Sequence, residues 1–432
     1  MQQRPENRPE RFARALELER AGRADEALAE LLALEAEARD SPQLLVHLGR
    51  ALVSANRAAD AEAKVASALA AWPADAALHA LLAELRWQRG AGADSLELLE
   101  AAIEAHPREL GLRLVAADLL RNMERAPRAL ELLEAGLARA PESAAFLASL
   151  GVVFDDLDRP REALGYLRAA IPRARNPASA RRNLAAVLLR TGDAAEALAL
   201  CDALVADAPD DQMLIAYRAT ALRLLGDDRY AVLCDYARLV RTYQLVPPAD
   251  YADIGEFNAV FARALTALHF STQRPIAQSL RGGTQTERHL PATNPVIAQF
   301  FDMLDAPIRD YIGRLDPRDV SHPTDRRARD GYRIGGSWSV RLAPGGFHTN
   351  HVHPEGWLSS AYYVELPSVD EASRAAWLKF GEPGLRVALP PEHFVRPEAG
   401  MLVLFPSYFW HGTVPFSEGG GRLTAAFDVI PA

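Results

Sequence analysis

Small residues recur every 34 positions through the first half of this chain, at Ala27, Ala61, Ser95, Ala129, Ala163, Ala197 and Ala231. A side chain this short at a fixed interval lets two helices approach closely at the same point of every unit. A second series, Pro73, Pro107, Pro141, Pro177 and Pro209, marks unit ends, with the 34-residue spacing held twice and then drifting by two. Proline lacks an N–H and pushes its predecessor out of the helical region, so it stops a helix. The residues between are rich in Ala, Leu, Glu and Arg, the strong helix formers. Each unit therefore reads as two amphipathic helices that cannot bury their faces alone, and stacking makes one continuous core. About six units are legible from residue 11 to about 210, and Gly226-Asp-Asp-Arg-Tyr-Ala231 reads as a degenerate seventh or a cap.

This period, with small residues at helix crossings and proline at the unit's end, resembles the tetratricopeptide repeat. The resemblance implies an all-α solenoid over residues 11–235 whose concave face takes a protein or peptide partner. The texture then changes. Val246-Pro-Pro-Ala-Asp250 breaks the helical pattern, an apolar helix is expected from Gly255 to about His269, and Gln278–Thr286 reads as a loop because of its paired glycines. Another helix is expected from Asn294 to Leu315, which makes 236–330 a helical linker or support region. From 331 to 432, aromatic and β-branched runs alternate with Gly and Pro turns, as in an antiparallel sheet. Strands are expected at Gly336–Leu342, Gly346–His353, Leu358–Glu365, Trp377–Phe380, Arg386–Leu389, Gly400–Phe405 and Leu423–Ile430, a set that suits a sandwich or small barrel. The fold class is thus α + β and multidomain.

The chemistry concentrates in this last part. His351-Val-His353-Pro-Glu355 is followed by His411 and Arg422. Side chains at i and i+2 of a strand point the same way, so His351 with His353, or His353 with Glu355, can offer two ligands to one ion, and His411 a third from a neighbouring strand. Three ligands on one side of an octahedral iron leave positions for a bidentate co-substrate and oxygen. A third arrangement has His351 and His411 as the protein ligands, with water in the remaining place. Pro354 interrupts a regular strand through to Glu355, because it cannot donate to the ladder.

Ser337-Trp338, Gly345-Gly346-Phe347, the His351-Val-His353-Pro run, Ser359–Val364, Gly400–Ser407, His411 and Arg422-Leu-Thr424 together resemble the 2-oxoglutarate- and Fe(II)-dependent oxygenases, and within them a branch related to prolyl hydroxylases. The resemblance implies a double-stranded β-helix, or jelly roll. It also implies that His351 and His411 bind iron, and that Arg422 pairs with the distal carboxylate of 2-oxoglutarate. A guanidinium can grip a carboxylate through two parallel hydrogen bonds and stays charged. Thr424 and Tyr363 are candidate hydroxyl donors to the same carboxylate. The departure from the wider superfamily is His353, which stands where an Asp or Glu is usual, so the matching triplet would give the all-histidine set His351, His353 and His411.

Other features narrow the reading. The formal net charge of −9 argues against a general nucleic-acid binder. Cys201 and Cys234 are too few for a disulfide framework and read as buried apolar residues. No run of eighteen apolar residues and no apolar leader is present, so a cytoplasmic protein with no membrane partner is expected. Arg281-Gly-Gly-Thr284 lacks the lysine and following helix of a phosphate loop. Trp357, Trp377, Phe405 and Trp410 read as core aromatics, with Trp410 placed to wall the pocket beside His411. The sequence points first to an oxygenase hydroxylating a recruited protein or peptide. Its rivals are a repeat scaffold with a silent jelly roll and a histidine-ligated, cupin-like dioxygenase acting on a small molecule.

Overall fold

A computed structural model describes residues 7–20, 23–37, 41–276, 278–286, 289–328, 331–370 and 373–432. Packing divides the chain into two compact units, one of Met1–Pro141, Phe270–Ala277 and Glu287–His289, the other of Glu142–His269, Gln278–Thr286 and Leu290–Ala432.

In the first unit, helix pairs follow the repeat, as in Pro42–Ser54 with Ala58–Ala68 and Leu110–Asn122 with Ala126–Leu137. The second unit continues with Ala144–Asp156, Pro160–Ala170, Ala178–Thr191, Ala194–Asp207 and Gln212–Leu225. Side-chain caps start several first helices, including Asp75 to the Leu78 N–H and Asp211 to the Met213 and Leu214 N–H groups. The five prolines all lie in the connections between pairs. Six of the seven recurring small residues are fully or nearly fully buried, from Ala27 to Ala197. Ala231 is exposed on the short helix Arg229–Leu233, where the array ends. Gly151 shows how tight a crossing is, since a Cβ there would lie 2.5 Å from Leu167 Cγ.

Among its described residues the second unit holds nine strands: β1 (Arg241–Gln244), β2 (Leu280–Gln285), β3 (Tyr332–His348), β4 (Leu358–Glu365), β5 (Leu378–Phe380), β6 (His393–Val395), β7 (Met401–Pro406), β8 (His411–Thr413) and β9 (Arg422–Pro431). They form a six-stranded sheet in the order β1-β7-β4-β9-β3-β2 and a three-stranded sheet β6-β5-β8, with every pairing antiparallel. This is the two-sheet arrangement of a jelly roll.

Several sequence expectations change here. The 236–330 stretch is not purely helical, because it supplies both edge strands of the larger sheet. Gln278–Thr286 is not a loop. Its glycines make a bulge in β2, where Gly282 has φ +67 and a Cβ on Gly283 would sit 2.2 Å from the Arg341 carbonyl oxygen. The helix expected over 294–315 splits into Pro295–Asp302 and Asp305–Gly313, with Pro307 unable to donate back across the break. The two strands expected at 336–342 and 346–353 are one strand that stops at His348, leaving His351 and His353 beyond it. Arg386–Leu389 is not a strand either. Prolines bracket it at 383 and 390, and Arg386 donates instead to the Asp156 carbonyl at 2.8 Å.

One hydrophobic cluster spans this unit. It runs from Ile215, Ala219 and Leu222 on the last long repeat helix, through Phe257, Phe261 and Phe300, to Tyr362, Phe405, Phe427 and Val429 in the sheet. Arg223 on that helix donates to the carbonyls of Gly381 (2.8 Å) and Pro390 (2.9 Å). Among the described residues no helix is long and apolar enough to cross a membrane.

The repeat position gives a matched pair of variants. Ala163→Leu overpacks a crossing with no space and is expected to lower stability by about 1–3 kcal/mol. Ala231→Leu, at the same register on an exposed surface, is expected to change it by less than about 0.5 kcal/mol. Urea unfolding followed by far-UV circular dichroism checks the contrast, and equal effects would refute the packing reading of the repeat.

Candidate functional site

His351 follows β3 by three residues and is bound back to back with His411, the first residue of β8. The His351 N–H donates to the His411 carbonyl at 2.9 Å and the His411 N–H to the His351 carbonyl at 3.1 Å. This isolated bridge brings the two rings to a centroid separation of 4.2 Å. His353 is held from the other side, its N–H donating to the Ser407 carbonyl at 3.0 Å. Gly356 lets this loop close, since a Cβ there would meet Ser407 Oγ at 2.3 Å.

The hydrogen bonds of the rings fix their tautomers. His351 Nδ1 lies 2.9 Å from the Thr349 carbonyl oxygen, and His411 Nδ1 lies 2.9 Å from that of Phe409. A carbonyl only accepts, so both Nδ1 atoms carry the proton and donate. His353 Nδ1 lies 2.6 Å from Asp428 Oδ1 and donates to that carboxylate. With the rings neutral, each presents a bare Nε2, and His351 Nε2 and His353 Nε2 approach to 3.3 Å. Two lone pairs at that distance cannot hydrogen-bond to each other, so a proton or a metal cation between them is the complement. The ligand atoms of His351, His353 and His411 all fall within 4.8 Å of one another. Burial first, then the neighbouring His353 ring, pushes His351 down to about 3, and burial holds His411 well below the usual histidine range. Neutral imidazoles are the form that binds metal.

Glu355 is exposed and stands outside this cluster. His348 lines the same cavity, with Nδ1 at 2.9 Å from Ser279 Oγ, and is a neighbour of the cluster. Trp410 does not wall the cavity. Its indole N–H donates to Thr220 Oγ1 at 3.0 Å and its ring faces Tyr217 on the last long repeat helix. The wall beside His353 is Trp338, with ring centroids 5.4 Å apart.

Opposite the histidines lies Arg422, the first residue of β9, 3% exposed. One guanidinium nitrogen donates to Thr413 Oγ1 at 2.9 Å, while Nε is buried without a partner. Among the described residues no carboxylate pairs with it. The guanidinium carbon lies 5.0 Å from the ring centroid of Tyr363, whose buried hydroxyl is also without a hydrogen-bond partner. Thr424, two residues along β9, reaches only the Val340 carbonyl, at 3.5 Å. Burying an uncompensated charge costs several kcal/mol, and unmade buried hydrogen bonds add to that. Arg422 and Thr424 line one cavity with the histidines, with apolar walls from Leu378 and Phe405, and Tyr363 stands beside Arg422; an anionic oxygen ligand would satisfy the Arg422 donors.

Comparison with known proteins follows the same division. Residues 336–428 match the family described as "Putative 2OG-Fe(II) oxygenase". Residues 46–109, 114–177 and 153–212 match the tetratricopeptide repeat. The chain carries tetratricopeptide repeats and a C-terminal 2OG-Fe(II) oxygenase-family domain. Solved structures resemble parts of it. A Thermus thermophilus repeat protein is 22% identical over 50% of this chain and 100% of its own, with a TM-score of 0.31. A Parabacteroides merdae repeat protein is 20% identical over 44% of this chain and 75% of its own (TM-score 0.35). A Pseudomonas putida prolyl-4-hydroxylase is 20% identical over 47% of this chain and 98% of its own (TM-score 0.31). No curated protein matches the chain.

Sequence reasoning missed Asp428, the carboxylate behind His353. Its signal was present but weak: it stands on the same face of β9 as Arg422 and Thr424, six and four residues away.

The depressed histidines make a prediction for the metal-free protein. His351 is pushed to about 3 and His269, buried between Thr284 and Ser339, to about 4, against 6.5 when unfolded. The unfolded chain takes up these protons first as pH falls, so their contribution is complete above about pH 6.5 and is lost between there and the folded values. Stability is expected to fall by about 1.4 kcal/mol per pH unit for each group in that window. Urea midpoints at pH 7.5 and 5 read this directly, and an unchanged midpoint would contradict it.

Proposed function

We propose that this protein is an Fe(II)- and 2-oxoglutarate-dependent dioxygenase that hydroxylates a side chain of a protein or peptide brought to it by the repeats. The observation that carries this reading is one cavity with three converging bare Nε2 atoms on one side and an unpaired buried guanidinium on the other. His351, His353 and His411 would hold the iron and leave its remaining positions open. Arg422 would bind the distal carboxylate of 2-oxoglutarate, with Thr424 and Tyr363 as further donors. Bound iron with its co-substrate supplies oxygen activation and oxidation of a substrate C–H bond.

The protein's own part is orientation and exclusion. Backbone bonds hold His351 against His411, and carbonyl and carboxylate acceptors fix which nitrogen of each ring faces the ion. Leu378 and Phe405 keep water from the co-substrate pocket, where the Arg422 charge acts in a low dielectric. An all-histidine set also suits a dioxygenase without a co-substrate, but that reading leaves Arg422 and Tyr363 unexplained. In the second unit, Arg223 on a repeat's first helix already holds Gly381 and Pro390 of the same chain. Peptide recruitment would therefore fall to the repeats before this helix. Two free buried thiols, Cys201 and Cys234, fit a reducing compartment, in keeping with a cytoplasmic setting.

Anaerobic titration of the metal-free protein with Fe(II) and then 2-oxoglutarate tests this. The charge-transfer band of a 2-oxoglutarate chelate is expected in the wild type, absent in His411→Ala, and shifted to at least about tenfold higher 2-oxoglutarate in Arg422→Ala, the cost of about one charge-assisted pair. A folded wild type with no band would leave a repeat scaffold with a silent jelly roll. Iron binding indifferent to 2-oxoglutarate would favour the cupin-like alternative.

A further inference from the structure

The three histidines are alike in presenting Nε2 but unlike in what stands behind them. His351 and His411 donate Nδ1–H to backbone carbonyls two residues back, which are neutral acceptors. His353 donates to Asp428, a carboxylate, at the shorter distance of 2.6 Å. Asp428 is 7% exposed, and among the described residues it forms an ion pair with His353 and with no lysine or arginine. Its other partner is Ser359 Oγ, which donates to the same Oδ1 at 2.8 Å and lies 2.8 Å from Ser407 Oγ. Ser359 and Asp428 are direct partners across β4 and β9. The carboxylate is thus clamped in the middle of the larger sheet and aimed at one ligand.

We propose that Asp428 supplies, through His353, the negative charge that a metal-bound carboxylate supplies in related sites. This rests on the metal-centre reading above. Pulling on Nδ1–H gives the imidazole part of the character of an imidazolate, so His353 acts as the anionic member of the set while binding through nitrogen. The charges support it. A dipositive ion, a dianionic co-substrate and the Arg422 guanidinium leave one positive charge in a buried cavity. Asp428 brings the sum to neutral, the same total that two histidines and one carboxylate ligand would reach. Leaving that charge uncompensated in a low-dielectric interior is costly. Asp428 is a positioning and charge-setting residue and does not touch substrate.

Asp428→Asn separates charge from orientation, because the amide oxygen still accepts from Nδ1–H while the charge is gone. Asp428→Ala removes both. With Co(II) as the probe and the metal-free full chain as the protein, Asp428→Asn is expected to weaken binding by about 10- to 100-fold, nearly as much as Asp428→Ala. Inorganic azide is expected to bind the Co(II)-loaded Asn variant more tightly than wild type, since the site has gained net positive charge. Thermal unfolding of each metal-free variant establishes that the fold is intact. Wild-type Co(II) affinity in Asp428→Asn, or unchanged azide binding, would make Asp428 a mere pin for His353 and overturn the proposal. A wild type that binds Co(II) no better than His411→Ala would instead remove the metal centre itself, and this inference with it.

Discussion

Everything at the cavity depends on the pair of backbone hydrogen bonds between His351 and His411. Each such bond contributes only about 1 kcal/mol net, yet this pair decides where the loop after β3 comes to rest. It sets two imidazoles close together, tilted by 47°, with the ligand nitrogens gathered near one point, an arrangement that neutral rings would not adopt in water. The Ser407 carbonyl and Asp428 then bring His353 to the same point. The lone pairs are held together by the surrounding structure, so the cost of assembling them is met in folding and a cation would encounter a prepared site.

β9 links the two halves of that site. Its residues 422, 424, 426 and 428 share one face, by the two-residue period of a strand. Arg422 and Thr424 lie at the start of the strand and Asp428 beside His353. Pairing on both sides, with β3 and β4, fixes this row in register. A slip by one residue would turn all of these side chains away from the cavity. The placement of Arg422 relative to the carboxylate behind His353 is therefore set by strand register, which is among the stiffest quantities a sheet possesses.

Much of this was legible in the sequence, for physical reasons that differ between parts. The repeat could be read because a steric requirement recurs at fixed spacing, and six buried small residues bear it out. The seventh, Ala231, carries the pattern without the burial, because spacing says nothing about whether a neighbouring helix follows. The histidine cluster could be read from residue type and the two-residue spacing, although His351 and His353 sit beyond the end of a strand. β2 was misread because its two glycines suggest a turn, whereas a bulge uses the same freedom of φ. Trp410 was misplaced because adjacency in sequence to His411 does not show that Thr220 and Tyr217 on a repeat helix hold its ring. Asp428 was missed because a lone acidic residue in an apolar run has no local signature. Only the pairing of Ser359 with it across the sheet, and the arrival of His353 from a distant loop, give it meaning.

The cluster joining Ile215 and Leu222 to Phe427 and Val429 means that the end of the solenoid is also a wall of the oxygenase-family domain. The boundary drawn by the repeat pattern and the boundary drawn by packing do not coincide. The last long repeat helix, Gln212–Leu225, is committed, because Ile215, Ala219 and Leu222 on its apolar face are buried in the cluster shared with the sheet. An array built this way can gain or lose repeats over evolutionary time from its N-terminal side alone. The length and surface of the array can then drift while the last repeat helix and the sheet it packs against are inherited together as one piece.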